Sequence, residues 1–144
     1  MTIYIGADHR GFDLKQRLIP FLQSKKVAIT DCTPEFEAEN DYPPIAREVS
    51  QHILDNPKER GILICGSGYG MDMAANRLKG IRAAVCRSEK DAQLARSDDF
   101  CNILVLGADF TSFPAAKRII DAWLNTPPSR LARYLRRVQD LDTV

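Results

Sequence analysis

Five short apolar segments recur along the chain, and each is separated from the next by a stretch with helical periodicity. The segments are Ile3–Ala7, Val27–Cys32, Gly61–Cys65, Ile81–Cys86 and Ile103–Leu106. They are apolar in runs rather than at every second position, which indicates strands buried on both faces, as in a parallel sheet between two layers of helices. The sequence therefore predicts an α/β fold, a Rossmann-like α/β/α sandwich with a five-stranded parallel sheet.

Helical patterns fill the intervals between these segments and follow the last one. The helices are expected at 12–25, from Pro43 to 53, at 71–79, at 89–97, from Phe113 and near Ser129. We expect Ser129 to cap the last of them, because a serine hydroxyl can accept a hydrogen bond from the first helical turn. A chain of 144 residues suggests one domain, which we place at 1–144.

The composition excludes several classes of protein. A net charge of +1 gives the chain no overall attraction to nucleic acid, and no apolar run approaches the ~20 residues that cross a membrane. No targeting segment precedes the first strand, so we expect a cytoplasmic protein. Four cysteines without a C-x-x-C pair and only two histidines argue against a zinc site, and we predict neither a metal nor a cofactor.

Polar and reactive side chains follow four of the five predicted strands. Asp8 and His9 come after the first, Cys65 ends the third, Arg87 follows the fourth, and Asp109 follows the fifth. The carboxyl ends of parallel strands meet at one edge of a sheet, where α/β proteins bind their ligands. We therefore expect these side chains to form one site.

The third strand runs into a glycine-rich turn, Cys65–Gly70, with the pattern C-G-S-G-x-G. Glycines let such a turn point its backbone N–H groups at one anion, with the N-terminus of the next helix behind them. No Gly-Lys-Ser/Thr follows, so the turn is not a P-loop, and its spacing does not match a dinucleotide-binding turn. The alternative interpretation is a tight turn without a ligand.

Cys65 is the candidate base or nucleophile of this site. A thiol beside a helix N-terminus and several amides ionises more readily than a free one, and a thiolate can abstract a proton or attack a substrate. The alternative is a buried, unreactive strand cysteine. We expect that alternative for Cys32, Cys86 and Cys101, which lack the glycine turn.

Two arginines of the last helix, Arg133 and Arg137, are four residues apart and share a face. Guanidinium groups on one stripe suit a phosphate, and such a helix could reach the site of a second subunit. The alternative is a solvated basic face. Asp8 and His9 have comparable alternatives, a helix cap and a surface side chain.

Taken together, these motifs resemble those of ribose-5-phosphate isomerase type B and of the related galactose-6-phosphate isomerase subunits, over essentially the whole chain. The matching segments are Gly6–Phe12 with Lys15, Asp41–Pro43, Gly61–Gly70, Ala74–Asn76, Gly80–Ala83, Asn102 with Gly107, and Arg133 with Arg137 and Val138. The resemblance implies an aldose–ketose isomerase that moves a proton between C1 and C2 of a phosphosugar through a cis-enediolate, without metal or cofactor. It also implies a homodimer or homotetramer with shared active sites.

The resemblance further implies a role for each site residue. Cys65 would be the base, since this chain has Met71 where some members use a Glu; Ser67 would act at the reacting oxygens, and Asp8 would bind hydroxyls or relay protons. Tyr42 would line the pocket. The enediolate oxygen would be bound by Asn102 together with the backbone amides of Gly66, Gly68, Tyr69 and Gly70. The phosphate would be bound by His9, Arg133 and Arg137, with the two arginines coming from a second subunit.

Two positions depart from the family's pattern. Asp98 stands where the family usually has the His that opens the furanose ring, and Asp109 stands where it commonly has an Arg of the phosphate site. One hypothesis is an isomerase whose substrate needs no ring opening, such as a tetrose 4-phosphate. A second is a ribose-5-phosphate isomerase in which Asp98, Asp99 or water opens the ring. A third is a non-catalytic phosphosugar-binding or hetero-oligomer subunit. We favour an active isomerase, because the acid–base and oxyanion residues are intact.

Overall fold

The computed structural model describes all 144 residues, with five parallel strands in the order β2-β1-β3-β5-β4. The strands are β1 (Thr2–Ala7), β2 (Ala28–Asp31), β3 (Arg60–Cys65), β4 (Ala83–Val85) and β5 (Ile103–Gly107). The helices are α1 (Phe12–Gln23), α2 (Tyr42–Asp55), α3 (Tyr69–Ala75), α4 (Glu89–Asp98), α5 (Phe113–Asn125) and α6 (Ala132–Leu141). The predicted α/β sandwich is confirmed. None of the helices has the length and apolar character of a membrane span.

Each face of the sheet has its own hydrophobic core. Successive strand residues point to opposite faces, so Ile62 and Ile64 of β3 pack in a cluster with residues of α1 and α5. Leu63 and Cys65 pack in a second cluster with residues of α2 and α3. Cys65 therefore lies at the end of β3 on the side that α2 and α3 cover.

Some helix boundaries differ from the prediction. α2 begins at Tyr42 and α3 at Tyr69, one and two residues earlier than predicted. The prediction that Ser129 caps α6 is wrong, because the residue at the N-cap is Leu131. The Ser129 hydroxyl instead accepts a hydrogen bond from the Leu131 N–H at 3.2 Å, which closes a short turn just before the helix.

Helix α6 is tied to the rest of the chain near its two ends. The Ser129 N–H, just before it, donates to the Ser97 carbonyl at 2.8 Å, and Asp142, just after it, pairs with Arg82 at 2.9 Å. Both anchors lie at the edge of the sheet where β4 and β5 begin. Val138 is the one buried residue of the helix, so most of its length faces outward.

A buried lysine fixes the segment that follows β2. Lys15 of α1 is fully buried, and its ammonium group donates to Asp31 Oδ2 at 2.5 Å and to the Thr33 carbonyl at 2.8 Å. The Thr33 hydroxyl accepts a hydrogen bond from the Ala7 N–H at 3.0 Å. This network holds the start of the 33–41 loop beside the end of β1, where two predicted site residues follow.

We expect Lys15→Ala to lower the free energy of unfolding by about 3 kcal/mol, because the variant leaves a partly buried carboxylate and a carbonyl without their partner. Urea denaturation measures the change. Lys25→Ala is the matched control, since the Lys25–Asp121 pair at 2.7 Å is about one-third exposed on both sides and such pairs contribute less than about 1 kcal/mol. Equal losses in the two variants would contradict the prediction.

Candidate active site

The turn that follows β3 is held against the end of β5. The Ala108 N–H donates to the Cys65 carbonyl at 2.8 Å, and the Asp109 N–H donates to the Gly66 carbonyl at 2.9 Å. Cys65 lies opposite Gly107 in the register of the two strands, and a Cβ at Gly107 would collide with the backbone of the turn. The turn therefore rests on two adjacent strand ends.

Cys65 is buried, and its sulfur accepts a hydrogen bond from the Gly68 N–H at 3.2 Å. Gly68 has a left-handed φ of 88°, which costs a residue with a side chain about 1 kcal/mol. A donor aimed at the sulfur stabilises a thiolate. Burial raises the pKa of Cys32 to about 12 and of Cys101 to about 11, and it also raises the pKa of Cys86. These three thiols therefore stay protonated at neutral pH.

The predicted oxyanion donors divide into two groups. The N–H of Gly68 is directed at the thiol, and that of Tyr69 donates to the Ser67 hydroxyl at 3.3 Å. The N–H groups of Gly66 and Gly70 make no hydrogen bond within the chain. Gly70 lies in the first turn of α3, and the buried Gly66 precedes the helix, so these are the two unpaired amides of the turn that a ligand oxygen could use.

Asp8 and His9 follow β1 beside the turn. Asp8 is buried, and its Oδ1 accepts hydrogen bonds from the N–H groups of Arg10 and Gly11, each at 3.0 Å. The carboxylate thus closes the turn that precedes α1, but it does not cap the helix, whose N-cap is Gly11 without a side-chain cap, and its Oδ2 remains without a partner. His9 is exposed, and its Nδ1 lies 3.3 Å from the Asn40 carbonyl oxygen, which leaves Nε2 at the surface.

Tyr42, the first residue of α2, lies over the start of α3. A Cβ placed on Gly70 would come within 2.7 Å of the Tyr42 ring, so the ring is in close contact with the glycine backbone. The tyrosine is 40% exposed. The structure therefore places this side chain at the edge of the Cys65 turn, and its pocket-lining role stays a prediction.

Two arginines lie at the same edge of the sheet: Arg87, which the sequence placed at the site without a specific role, and Arg10, which the sequence did not single out. The Arg10 guanidinium lies over Gly66 and pairs with Asp109, and the Arg87 guanidinium lies 4.5 Å from the centre of the Phe110 ring. Each arginine follows a strand end, and that position was the signal in the sequence. Position along the chain does not show, however, which long side chains fold back over the turn.

Asn102 lies away from this edge. It immediately precedes β5, and its side chain accepts a hydrogen bond from the Arg82 N–H at 2.8 Å and donates to the Gly80 carbonyl at 2.9 Å. Both ends of the amide therefore join the starts of β4 and β5. A single chain therefore does not bring Asn102 to Cys65, because the residue is at the opposite end of the strand from Gly107, and its predicted contact with an enediolate stays a prediction.

Asp98, Arg133 and Arg137 lie at that opposite edge as well. Asp98 ends α4, while the two arginines lie on α6 with their guanidinium carbons 4.9 and 5.7 Å from the centre of the Tyr134 ring. The anchors at both ends of α6 belong to the edge where β4 and β5 begin. A single chain therefore does not bring these three side chains to Cys65.

The Cys65 turn is an open shelf in the single chain. Residues 65–70 do not line any of five surface cavities of about 360 to 470 Å³. One groove of about 470 Å³ runs between the α3–β4 connection and the end of α6, away from the turn. The site residues of one chain thus do not enclose a cavity by themselves.

One group of potential metal ligands lies elsewhere, on α2 and on the residue that follows β2. Donor atoms of Cys32, Glu48 and His52 all lie within 4.8 Å of one another. Glu48 is exposed, and the His52 ring stacks on Tyr4 with 4.2 Å between ring centres. None of the predicted site residues belongs to this group.

The chain is similar to known proteins over nearly its whole length. Residues 3–141 match the family model described as Ribose/Galactose Isomerase. The D-erythrulose-4-phosphate isomerase of Pectobacterium atrosepticum is 40% identical over 126 residues, which cover 87% of this chain and 83% of that protein.

Two solved structures are similar in sequence and in fold. A ribose 5-phosphate isomerase of Thermotoga maritima has a TM-score of 0.95 at 41% identity, covering 99% of this chain and 98% of that one. Ribose-5-phosphate isomerase B of Mycoplasma genitalium, solved with bound ribulose 5-phosphate, has a TM-score of 0.93 at 37% identity, covering 99% of this chain and 94% of that one.

Alkylation of the native protein tests the assignment of Cys65. We expect iodoacetamide at neutral pH to label Cys65 before Cys32, although Cys32 is more exposed, because Cys65 has a backbone donor at its sulfur and the pKa of Cys32 is raised to about 12. Peptide mass spectrometry at timed intervals gives the order. Cys65→Ser should remove the fast phase and leave slow labelling of Cys32, and labelling of Cys32 first would refute the assignment.

Proposed function

Because the chain belongs to the ribose/galactose isomerase family, as its motifs predict, we propose that it interconverts the aldose and ketose forms of a four-carbon phosphosugar. The predicted family and the class of sugar-phosphate isomerase are confirmed. The observation that carries the proposal is the arrangement at one turn of a thiol, a donor to its sulfur and two free amides. Cys65, Gly66 and Gly70 are the residues that supply them.

The proposed reaction is a proton transfer through an enediolate. The Cys65 thiolate removes the proton from C2 of the aldose, the C2–H electrons form the C1–C2 double bond, and the carbonyl oxygen becomes an oxyanion. The free N–H groups of Gly66 and Gly70 donate to that oxygen, and one such donor is worth about 3 kcal/mol in the transition state. The thiol then returns the proton to C1, while Asp8 Oδ2 or the Ser67 hydroxyl moves the hydroxyl proton between the two oxygens.

We infer the length of the sugar from a ring-opening residue that this chain does not have. Asp98 replaces the expected ring-opening histidine and lies at the far edge of the sheet from Cys65, and the exposed His9 is the one imidazole beside the turn. A tetrose 4-phosphate needs no enzymic ring opening, because the oxygen that would close its furanose ring carries the phosphate. The similarity to a D-erythrulose-4-phosphate isomerase supports the same substrate class.

Kinetics on a panel of four-, five- and six-carbon phosphosugars test this proposal. We expect kcat/KM for erythrulose 4-phosphate to exceed that for ribulose 5-phosphate, and Cys65→Ala to lower kcat by at least about 100-fold, the usual contribution of a general base. Cys32→Ser is the matched control and should keep the activity. A clear preference for ribose 5-phosphate would overturn the four-carbon substrate. Absence of proton exchange at C1 and C2 with the wild-type chain would favour the non-catalytic subunit.

We further infer that a second copy of the chain completes each site. α6 leaves Leu131 and Leu135 exposed at 52% and 42%, and it carries Arg133 and Arg137 away from its own Cys65. In a symmetric dimer the same helix can cover the open shelf of the partner and bring both arginines to the phosphate beside His9. A homodimer or homotetramer and a cytoplasmic location stay predictions from the sequence.

Mixing two inactive variants tests the shared site. Cys65→Ala and the double variant Arg133→Ala with Arg137→Ala should each have little activity alone. After unfolding and refolding together, they should recover about a quarter of the wild-type activity, because half of the dimers are mixed and each mixed dimer has one intact site. The control is each variant refolded with itself. No recovery, with mixed dimers demonstrated by native mass spectrometry, would show that one chain supplies the whole site.

A further inference from the structure

The Arg10 guanidinium lies directly on the Cys65 turn. A Cβ placed on Gly66 would coincide with the guanidinium group, whose Cζ, Nε and Nη1 are the nearest atoms to that position. The planar cation is therefore packed against the glycine backbone, next to one of the two free amides of the turn. Of the arginines described above, Arg10 is the one that contacts this backbone.

Three hydrogen bonds fix Arg10 in this place. Its N–H donates to Asp8 Oδ1 at 3.0 Å, and its Nη2 donates to Asp109 Oδ2. Asp109 is itself bound to the turn, because its N–H donates to the Gly66 carbonyl at 2.9 Å. The backbone of Arg10 and its head group are thus anchored to neighbouring strand ends, with Gly66 between them.

Stability does not account for this arrangement. The side chains of Arg10 and Asp109 are 54% and 43% exposed, and ion pairs this exposed contribute little to folding. A guanidinium group has five N–H donors, and the structure engages Nη2 alone among the side-chain nitrogens in a hydrogen bond. The other side-chain nitrogens make no hydrogen bond within the chain, and because the side chain is 54% exposed, a phosphate that approaches it can accept two of these donors in parallel.

We propose that Arg10, held over Gly66 by Asp109, binds the phosphate of the substrate and selects a four-carbon sugar. This inference rests on the proposed function and names the residue that sets the substrate length. Asp109 is a positioning residue in this arrangement, since it orients the guanidinium and has no substrate contact of its own. The two residues act as one unit at the ends of β1 and β5.

The selection follows from a fixed separation between the turn and the guanidinium. The reacting carbons of any substrate must reach Cys65 and the free amides, so the anchored cation lies at one set distance from them. A five-carbon sugar places its phosphate one carbon–carbon bond, about 1.5 Å, farther along the chain. A hydrogen bond is lost over such a displacement, so Arg10 favours the shorter sugar.

Steady-state kinetics of Arg10→Ala on two substrates test the proposal. We expect the KM for erythrulose 4-phosphate to rise about 30-fold, the usual effect of losing charge-assisted hydrogen bonds, with kcat changed less than about threefold. The KM for ribulose 5-phosphate should change less than about threefold, so the preference for the shorter sugar falls about tenfold. Arg10→Lys should keep part of the effect, because lysine retains the charge and loses the paired donors.

Arg118→Ala is the matched control, since Arg118 forms a comparably exposed pair with Glu89 at 3.0 Å on a different surface. It should leave both substrates unaffected. Asp109→Asn should raise the KM for erythrulose 4-phosphate without a change in kcat, because Asp109 acts only by anchoring the guanidinium of Arg10. Equal losses on both sugars in Arg10→Ala, or no loss on either, would overturn the proposal. A wild-type chain that isomerises neither sugar would instead overturn the proposed function.

Discussion

The pairing of β3 with β5 is the contact on which the site depends. β4 separates the two strands in sequence but lies at the edge of the sheet, so residues 65 and 107 become neighbours. Hydrogen bonds of 2.8 and 2.9 Å extend the pairing beyond both strands, through Ala108 and Asp109. They fix the glycine turn before α3 begins, and they place the Asp109 carboxylate where it can hold Arg10. A displacement of β5 would therefore disturb the thiol, the amides and the cation together.

The β1 side of the site is held in a different way. Lys15 joins Asp31 to the Thr33 carbonyl inside the protein, and farther along the same loop the Asn40 side chain accepts a hydrogen bond from the His9 N–H at 2.7 Å. A buried ion pair is often no more stabilising than apolar residues of the same volume. We infer that the main role of Lys15 is to fix the position of the loop, which in turn holds His9 through Asn40.

The sequence predicted the layers of the fold well and the neighbours of the site less well. Runs of apolar residues report burial on both faces, and this gave the strands and the sandwich. They contain no information about which strands are adjacent, so the proximity of Arg10, Gly66 and Asp109 could not be predicted. The distance of Asn102 from Cys65 within one chain has a related cause, because spacing along the chain does not show at which end of a strand a side chain will lie.

The arginines of α6 illustrate a second limit. Their spacing of four residues predicts one shared face correctly, but it does not specify whose active site that face meets. The anchors Ser129 and Asp142 settle the question for a single chain, since they hold α6 at the edge remote from Cys65. A role for Arg133 and Arg137 in catalysis therefore requires a partner, whereas their sequence pattern alone is equally compatible with a solvated surface.

The charges at the Cys65 edge explain why such a partner would matter. Arg10 is paired with Asp109, and the Arg87 guanidinium is stacked on Phe110, so the cations of one chain at this edge do not by themselves balance a phosphate of about −2. Asp109 stands where the family commonly has an arginine, but the site does not simply lose a cation. Arg10 brings a guanidinium to the same strand ends, and Asp109 anchors it. The ion pair places this positive charge beside Gly66. Additional cations from a second α6 would then complete the neutralisation, and the unit that performs the reaction would be a pair of chains.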